Sequence, residues 1–192
     1  MYRRSLDFAR SGTFLAGLSA IDIALWDIKG KHLGLPIHTL LGGQKHAKIL
    51  PYATGLYFTR TVNLTSKLID EALTYAKQGF RAIKMKVGLG VEQDLEHVKA
   101  IRKAIGPNVK LMIDSNHAFS YKEALDLARK LEDQNIAFFE EPVSPEYYEQ
   151  YAQLRQQTSI PIAGGECEYL RFGFHRLLEQ KSVDIIQVSL SH

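Results

Sequence analysis

Lysines and acidic residues follow four short apolar segments in the middle of the chain. Lys84 and Lys86 end the first segment, and Asp114, Glu140 and Glu166 follow the next three at equal intervals. Each interval has room for about one strand, one helix and two short loops. If the segments are neighbouring parallel strands, these side chains meet at the edge of the sheet where α/β proteins bind ligands. The spacing therefore predicts a metal-dependent acid/base enzyme.

The three carboxylates would lie close together on such a sheet. Their mutual repulsion then requires a bound cation or protonation. A set of oxygen ligands from Asp114, Glu140 and Glu166 suits Mg²⁺ or a similar hard divalent ion. The alternative is that they are solvated strand-end acids paired with the lysines. Asn116 lies on the same strand face as Asp114 and either bridges metal and substrate or caps a turn.

The two lysines are two residues apart and therefore share one face of a strand. Ile83 and Met85 occupy the other face, which must meet the helices, so Lys84 and Lys86 are predicted to point into the barrel. Partial burial and the proximity of two cations favour the neutral form of a lysine, which can then serve as a general base. The alternative is that both ammonium groups reach out to solvent at the strand end.

The first predicted helix covers residues 13–33, with Thr13 as its N-cap and Gly34 as its C-terminal stop. Trp26 is interpreted as a packing residue, and Asp27 as a helix-face or local hydrogen-bonding group. Apolar residues recur at helical spacing and predict one buried face, formed by Leu15, Leu18, Ile21, Ala24, Leu25 and Ile28.

A repeating strand–helix pattern follows from residue 48 onward. It predicts parallel strands with helices outside. The six predicted strands are 49–58, 80–87, 109–114, 136–140, 160–163 and 183–188. The five predicted helices are 64–78, 92–104, 121–134, 145–157 and 171–181.

The predicted fold class is α/β, a partial (β/α)8-type, TIM-like barrel of about six βα units. A closed barrel needs eight units and about 250 residues. A doubly wound open sheet would usually carry a glycine-rich phosphate loop after its first strand. Here that junction reads Gly55-Leu56-Tyr57-Phe58, which favours the incomplete barrel.

Composition excludes several other classes of protein. The net charge of +3 comes from scattered residues, so neither nucleic acid nor a membrane surface is expected as a partner. No apolar run approaches the roughly 20 residues that span a bilayer. The N-terminus lacks the apolar core of a signal peptide. Cys167 is the only cysteine, which favours a reducing, cytoplasmic location.

Several motifs together resemble the mandelate racemase/muconate lactonising group of the enolase superfamily. The resemblance covers nearly the whole chain in order. It implies that residues 1–45 are the tail of an α+β capping domain, contributing its C-terminal helix. Residues 46–192 would be the first three-quarters of the barrel. The motifs are Asp22-Ile-Ala-Leu-Trp-Asp27, Ile83-Lys84-Met85-Lys86-Val87-Gly88, Ile113-Asp114-Ser115-Asn116, Phe139-Glu140-Glu141-Pro142 and Gly164-Gly165-Glu166.

The resemblance also implies roles for individual residues. Mg²⁺ would bind Asp114, Glu140 and Glu166, and Lys86 would remove the proton α to a substrate carboxylate. Lys84 would neutralise that carboxylate and favour the base form of Lys86. The reaction would pass through an enediolate intermediate.

The implied substrate is a small 2-hydroxy or polyhydroxy carboxylate, and the implied enzyme an acid-sugar dehydratase or racemase, hence a lyase or isomerase. One alternative is a cycloisomerase or epimerase with the same metal site. Another is a truncated, non-catalytic fragment. Its open sixth strand would pair with another chain, as in a homo-oligomer. Ser189 stands where related racemases carry an Asp, which argues against a His–Asp dyad.

Overall fold

The computed structural model describes residues 2–7 and 10–190. The chain divides into a smaller and a larger compact unit. The smaller unit contains the residues up to Leu50, Glu166–Phe174 and the residues from Val188 onward, and the larger unit contains Pro51–Gly165 and His175–Gln187.

The larger unit contains one parallel sheet whose six strands are in sequence order. This arrangement confirms the predicted partial TIM-barrel-like α/β fold. Since each strand pairs with the next one in the chain, residues at equivalent positions form rows across the sheet. The strands are β1 (Ala53–Gly55), β2 (Ala82–Lys86), β3 (Lys110–Asp114), β4 (Ile136–Glu140), β5 (Ile162–Gly164) and β6 (Ile185–Ile186).

A helix connects each strand to the next, as the sequence pattern predicts. The connecting helices are α3 (Leu64–Lys77), α4 (Val91–Ile105), α5 (Tyr121–Lys130), α6 (Tyr148–Gln157) and α7 (Leu170–Glu179). The helix predicted for residues 121–134 is shorter, because it ends at Lys130 and is followed by a separate 3₁₀ turn, Glu132–Gln134.

The first strand is much shorter than the predicted 49–58. Among the described residues, strand β1 lies at the edge of the sheet and pairs with β2 alone, over the register of Ala53 with Ile83 through Gly55 with Met85. Ile49 is 85% exposed, so its β-prone side chain finds no partner. Strand β6, at the other edge, is likewise shorter than the predicted 183–188.

Alternation along the strands separates the helix-facing core from the opposite face of the sheet. The helix-facing side chains pack against helix residues such as Leu68, Val98 and Leu127. On the opposite face, Ala82, Met112, Phe138 and Ala163 form a smaller apolar cluster. The helix-facing strand residues include Ile83, Met85, Leu111, Ile113 and Phe139.

The smaller unit contains helices α1 (Thr13–Leu33) and α2 (Ile37–Leu40). Helix α1 has the predicted bounds and ends at Gly34, whose φ of 66° is left-handed. Its N-cap is Gly12 rather than Thr13, so the predicted cap is wrong. Trp26 is half-buried with the Lys29 ammonium 4.9 Å from its ring centroid, and Asp27 forms an ion pair with Lys31.

The predicted buried face of α1 is wrong for most of its residues. Leu15 is buried, but Ile21, Leu25 and Ile28 are 46%, 56% and 61% exposed. Helical periodicity identifies side chains that can be buried together; it does not show that the described residues supply a surface to cover them. None of the described helices combines the length and apolarity required to cross a membrane.

Candidate active site

Polar side chains form a row across the carboxyl ends of neighbouring strands. Lys86 on β2 is in register with Asp114 on β3, Asp114 with Glu140 on β4, and Glu140 with Ala163 on β5. Asp114 and Glu140 are only 1% and 2% exposed. The structure thus brings two of the three predicted carboxylates side by side at the end of the sheet where ligands bind.

Both lysines contact these carboxylates. The Lys84 ammonium lies 2.6 Å from Glu140 Oε2 and 3.0 Å from Asp114 Oδ2. The Lys86 ammonium lies 2.7 Å from the same Asp114 oxygen and also donates to Asn116 Oδ1. Lys84 is only 7% exposed, so the alternative in which it reaches solvent is wrong.

The electrostatics of Lys84 favour its charged form. Burial alone would lower the pKa of Lys84, but the hydrogen bond that its ammonium donates to Glu140 and the negative charge of Asp114 outweigh burial and raise that pKa above its usual range. Lys84 is therefore a permanent cation at neutral pH. The side chain of Lys86 is somewhat more accessible, at 16% exposure against 9% for Lys84.

The turn after β3 has an unusual backbone that holds Asp114 and Asn116. Asn116 and His117 have left-handed φ angles of 41° and 58°, which are uncommon outside glycine. The Asn116 N–H donates to Asp114 Oδ1 at 3.0 Å, while the Asn116 side chain contacts Lys86. The side chain that caps this turn is therefore that of Asp114, while the Asn116 side chain contacts the lysine, and a role of Asn116 in bridging metal and substrate stays a prediction.

The turn after β4 supports the turn after β3. Glu141 has a left-handed φ of 42°, and its carbonyl accepts hydrogen bonds from Ser115 Oγ at 2.7 Å and from the His117 N–H at 2.7 Å. Glu166 follows β5 by two residues and belongs to the smaller unit, so its place beside the other carboxylates stays a prediction.

Three neighbours of the cluster were not identified as site residues from the sequence. Gln187 Nε2 donates to Glu140 Oε2 at 3.2 Å. The ring centroids of Tyr52 and Tyr57 lie 5.9 Å from Lys84 Nζ and 5.7 Å from Lys86 Nζ, within cation–π range. Tyr57 and Gln187 could have been identified because they follow the carboxyl ends of β1 and β6, where side chains converge, whereas Tyr52 precedes β1 and gives no such signal.

The loop after β2 is fastened by Asp94 of helix α4. Asp94 Oδ2 accepts hydrogen bonds from the backbone N–H groups of Gly88, Leu89 and Gly90 at 2.9–3.1 Å. Burial raises the pKa of Asp94, and these backbone hydrogen bonds only partly oppose the increase. Asp94 thereby fixes the loop that begins two residues after Lys86.

Carboxylate oxygen atoms are suitable donors for a hard divalent cation, and Asp114 and Glu140 supply them side by side. The two carboxylates already offset the charge of two lysines. A divalent cation would therefore need further negative charge, from a further acidic ligand or from a substrate carboxylate. The donor set fits Mg²⁺ on this condition.

The parallel sheet, with lysines and carboxylates at its strand ends, places the chain in the class of TIM-barrel-like α/β proteins with a cluster of acidic and basic residues. Residues 67–192 match the family model described as enolase C-terminal domain-like. Residues 3–42 match the N-terminal domain of mandelate racemase/muconate lactonizing enzymes. The chain therefore belongs to the mandelate racemase/muconate lactonizing enzyme family of the enolase superfamily.

Several named enzymes are similar to this chain. An arabinonate dehydratase from Saccharolobus solfataricus is 42% identical over 99% of this chain and 51% of its own length. A 3,6-anhydro-D-galactonate cycloisomerase from Zobellia galactanivorans is 62% identical, with a TM-score of 0.94 over 99% of this chain and 52% of that one. A racemase from Streptomyces coelicolor, solved with bound magnesium, is 31% identical, with a TM-score of 0.92 over 100% of this chain and 56% of that one. The chain spans about half the length of these relatives.

Proposed function

We propose that this chain carries the metal site and the base of an enzyme that removes the proton α to the carboxylate of an acid sugar, through an enediolate intermediate. The observation that carries the proposal is the row of Lys86, Asp114 and Glu140, with Lys84 contacting both acids. Membership of a family whose similar members include acid-sugar enzymes supports the substrate class.

Lys86 is the proposed base and Lys84 the proposed electrostatic partner. Lys84 is held in its charged form by two carboxylates, so it is unsuited to accept a proton but suited to attract an anionic substrate. Lys86 is more accessible and is oriented by Asp114 and Asn116. Asn116 would orient the base through its side chain and stabilise Asp114 through its backbone.

Asp114, Glu140 and Glu166 are the residues proposed to hold Mg²⁺. When bound, the ion would supply positive charge that orients the substrate carboxylate and offsets the charge developing on it. This chain's own contribution would be to keep the oxygen ligands buried and to place Lys86 beside them. Gln187, which donates to Glu140, would orient that carboxylate.

The particular reaction we favour is the ring-opening isomerisation of an anhydro acid sugar. The 62% identity to the 3,6-anhydro-D-galactonate cycloisomerase supports it over the dehydration suggested by the 42% identity to the arabinonate dehydratase. Both reactions begin with α-proton removal and expel a β-oxygen. In the isomerisation that oxygen belongs to the ring and stays in the product, whereas dehydration releases it as water.

The domain assignment and the location of the chain remain parts of this proposal. We assign residues 1–45 to the capping domain and 46–192 to the barrel. Cys167 is the only cysteine of the sequence, which supports a reducing compartment such as the cytoplasm.

Calorimetric titration with Mg²⁺ tests the metal site directly. We expect binding to the parent chain and at least tenfold weaker binding after Asp114→Asn or Glu140→Gln, since each change removes a charged ligand while keeping the shape. Asp126→Asn is the matched control, because Asp126 is a surface acid that pairs with Lys130. A folded parent chain that binds no Mg²⁺ would reject the proposed metal site.

Product mass distinguishes the two reactions. The chain is incubated with 3,6-anhydro-D-galactonate or arabinonate in H₂O, and the products are analysed by mass spectrometry. An isomer of the anhydro sugar supports cycloisomerisation, and a product lacking one water supports dehydration. Lys86→Gln should abolish either reaction while the surface variant Lys130→Gln keeps it. Retention of turnover by Lys86→Gln would rule out Lys86 as the base, and a folded, Mg²⁺-binding chain that turns over neither substrate would support the non-catalytic alternative.

A further inference from the structure

Tyr57 is an unassigned neighbour of the proposed base. The Lys86 ammonium has three N–H donors. It donates hydrogen bonds to Asp114 Oδ2 and to Asn116 Oδ1. The Tyr57 ring, with its centroid 5.7 Å from Lys86 Nζ, is a further neighbour of that ammonium. Tyr57 lies on the loop after β1, so a third strand end contributes to the surroundings of Lys86.

The turn that carries Tyr57 is held by helix α3. Leu56 is fully buried and has a left-handed φ of 55°, which a leucine rarely adopts. The Leu56 N–H donates to Glu71 Oε1 at 3.0 Å, and the Tyr75 hydroxyl donates to the same oxygen at 2.9 Å. One carboxylate oxygen of α3 thus satisfies the backbone of a strained turn.

Gly55 permits this close approach. A Cβ atom added to Gly55 would lie 2.5 Å from Glu71 Oε1 and 2.6 Å from the Tyr75 hydroxyl. Only a residue without a side chain therefore allows both groups to reach the turn. The hydrogen bond from Tyr75 to Glu71 also raises the pKa of Tyr75, with a smaller contribution from Tyr57.

We propose that Glu71 is a positioning residue which, through the Leu56 turn, holds the Tyr57 ring over the ammonium of Lys86. Tyr57 then restricts that ammonium to the side occupied by Asp114 and Asn116. The catalytic consequence rests on the proposed function of Lys86, whereas the arrangement of Glu71, Leu56 and Tyr57 does not. Tyr57 is 53% exposed, so replacing it should change the surroundings of Lys86 without removing a core side chain.

The test uses the NMR signal of the Lys86 ε-methylene group in protein labelled with ¹³C at lysine Cε. Lys86→Arg identifies the signal by its disappearance. An aromatic ring this close shifts the signal upfield. We expect Tyr57→Phe to retain the shift and Tyr57→Leu to lose it. A Lys86 signal that is unchanged in Tyr57→Leu would overturn the contact.

The role of Glu71 is tested by amide hydrogen exchange and by the same lysine signal. Glu71→Ala should increase exchange at Leu56 about tenfold, as expected for the loss of one hydrogen bond, and reduce the upfield shift of Lys86. Glu71→Gln keeps an acceptor oxygen and should restore both values. Asp70→Asn is the matched control on the neighbouring, exposed position of α3. If the Leu56 exchange rate and the Lys86 shift in Glu71→Ala both equal those of the parent, the positioning role of Glu71 is rejected.

Neither measurement requires Mg²⁺ or turnover. If Mg²⁺ binding fails while the Lys86 shift depends on Tyr57 and Glu71, the proposed function is rejected and the positioning is supported. With turnover, Tyr57→Leu should lower kcat more than it raises KM, and Tyr57→Phe should restore kcat. Equal kcat in Tyr57→Leu and the parent would overturn the catalytic consequence alone.

Discussion

The two ends of the parallel sheet use charged side chains in opposite ways. At the carboxyl end, Lys84 and Lys86 pair with the buried acids Asp114 and Glu140. At the amino end, the charged side chain of Arg102 binds backbone groups instead. Arg102 of α4 donates four hydrogen bonds, to the carbonyl oxygens of Gly106, Val109, Gln134 and Asn135.

The difference separates stability from chemistry. A charge that satisfies backbone carbonyls fixes loops and offers nothing to a ligand. A buried cluster of charges costs desolvation and is weak evidence for stability, so its retention is better explained by binding. In barrels of this kind, strand carboxyl ends carry function and amino ends carry stability. The following substitutions test this division, beginning with the largest expected effect.

Lys84→Met removes the cation between the two buried acids and should cause the largest loss of stability. Asp114 and Glu140 would be left side by side with less compensating charge, which predicts a loss of about 3–5 kcal/mol in the free energy of unfolding. Urea denaturation with and without Mg²⁺ measures it. Saturating Mg²⁺ should restore part of the loss, because the ion would replace the missing positive charge. A loss below about 1 kcal/mol would show that the carboxyl-end cluster is not electrostatically coupled.

Arg102→Ala removes the four hydrogen bonds that Arg102 donates at the amino end. It should destabilise the fold without altering the proposed metal site. Four carbonyl groups lose their donor, which predicts a loss of about 2–3 kcal/mol, since some carbonyls will bind water instead. Arg129→Ala is the control, because Arg129 is exposed and donates to one side chain, that of Gln157. Calorimetric Mg²⁺ affinity should equal that of the parent. A change in affinity would mean that the two ends are coupled.

Ser120→Ala tests a carboxyl-end element that serves only the fold. Ser120 and Glu123 form a complete capping box at the start of α5, in the connection that follows Asp114. Loss of the cap predicts about 1 kcal/mol of destabilisation by thermal denaturation. Ser120→Asp, which retains a capping oxygen, should restore stability. Equal melting temperatures for the parent and Ser120→Ala would show that the box does not contribute.

Much of this division could be predicted from the sequence, because alternation and helical periodicity are local signals. Strand β4 and helix α1 have the predicted bounds, and the predicted face of Lys84 follows from the apolar neighbours Ile83 and Met85. These features need only the period of the pattern and the requirement that one face be buried.

Other features depend on which surfaces meet, and periodicity does not contain that information. Within the described residues, helix α1 has an apolar face that is largely exposed, and β1 has one partner strand. Arg102 donates hydrogen bonds to Gln134 and Asn135, which are more than 30 positions away in the sequence, and also to the nearby turn at Gly106 and Val109. The left-handed Leu56 is likewise unexpected from residue type, since its conformation depends on Glu71 from the following helix.

The smallest predicted effect concerns pH, because the two ends shift carboxyl groups in opposite directions. At the carboxyl end, burial raises the pKa of Asp94, and the buried Asp94 Oδ1 has no hydrogen-bond partner among the residues that the structure describes. At the amino end, the hydrogen bond from the Ser159 N–H lowers the pKa of Glu132. Carboxyl ¹³C NMR titration should therefore find Asp94 above, and Glu132 below, the usual values for their residue types.

The corresponding contributions to stability have opposite signs. The contribution of Glu132 is present above its unfolded pKa and is lost as pH falls through its lower folded value. The contribution of Asp94 is present below its unfolded pKa and is lost as pH rises through its higher folded value. Asp94→Asn should therefore remove the part of the stability loss that accompanies rising pH. Glu132→Gln should remove the part that accompanies falling pH. If both groups shift in the same direction, local burial and backbone donors do not distinguish the two ends of the sheet.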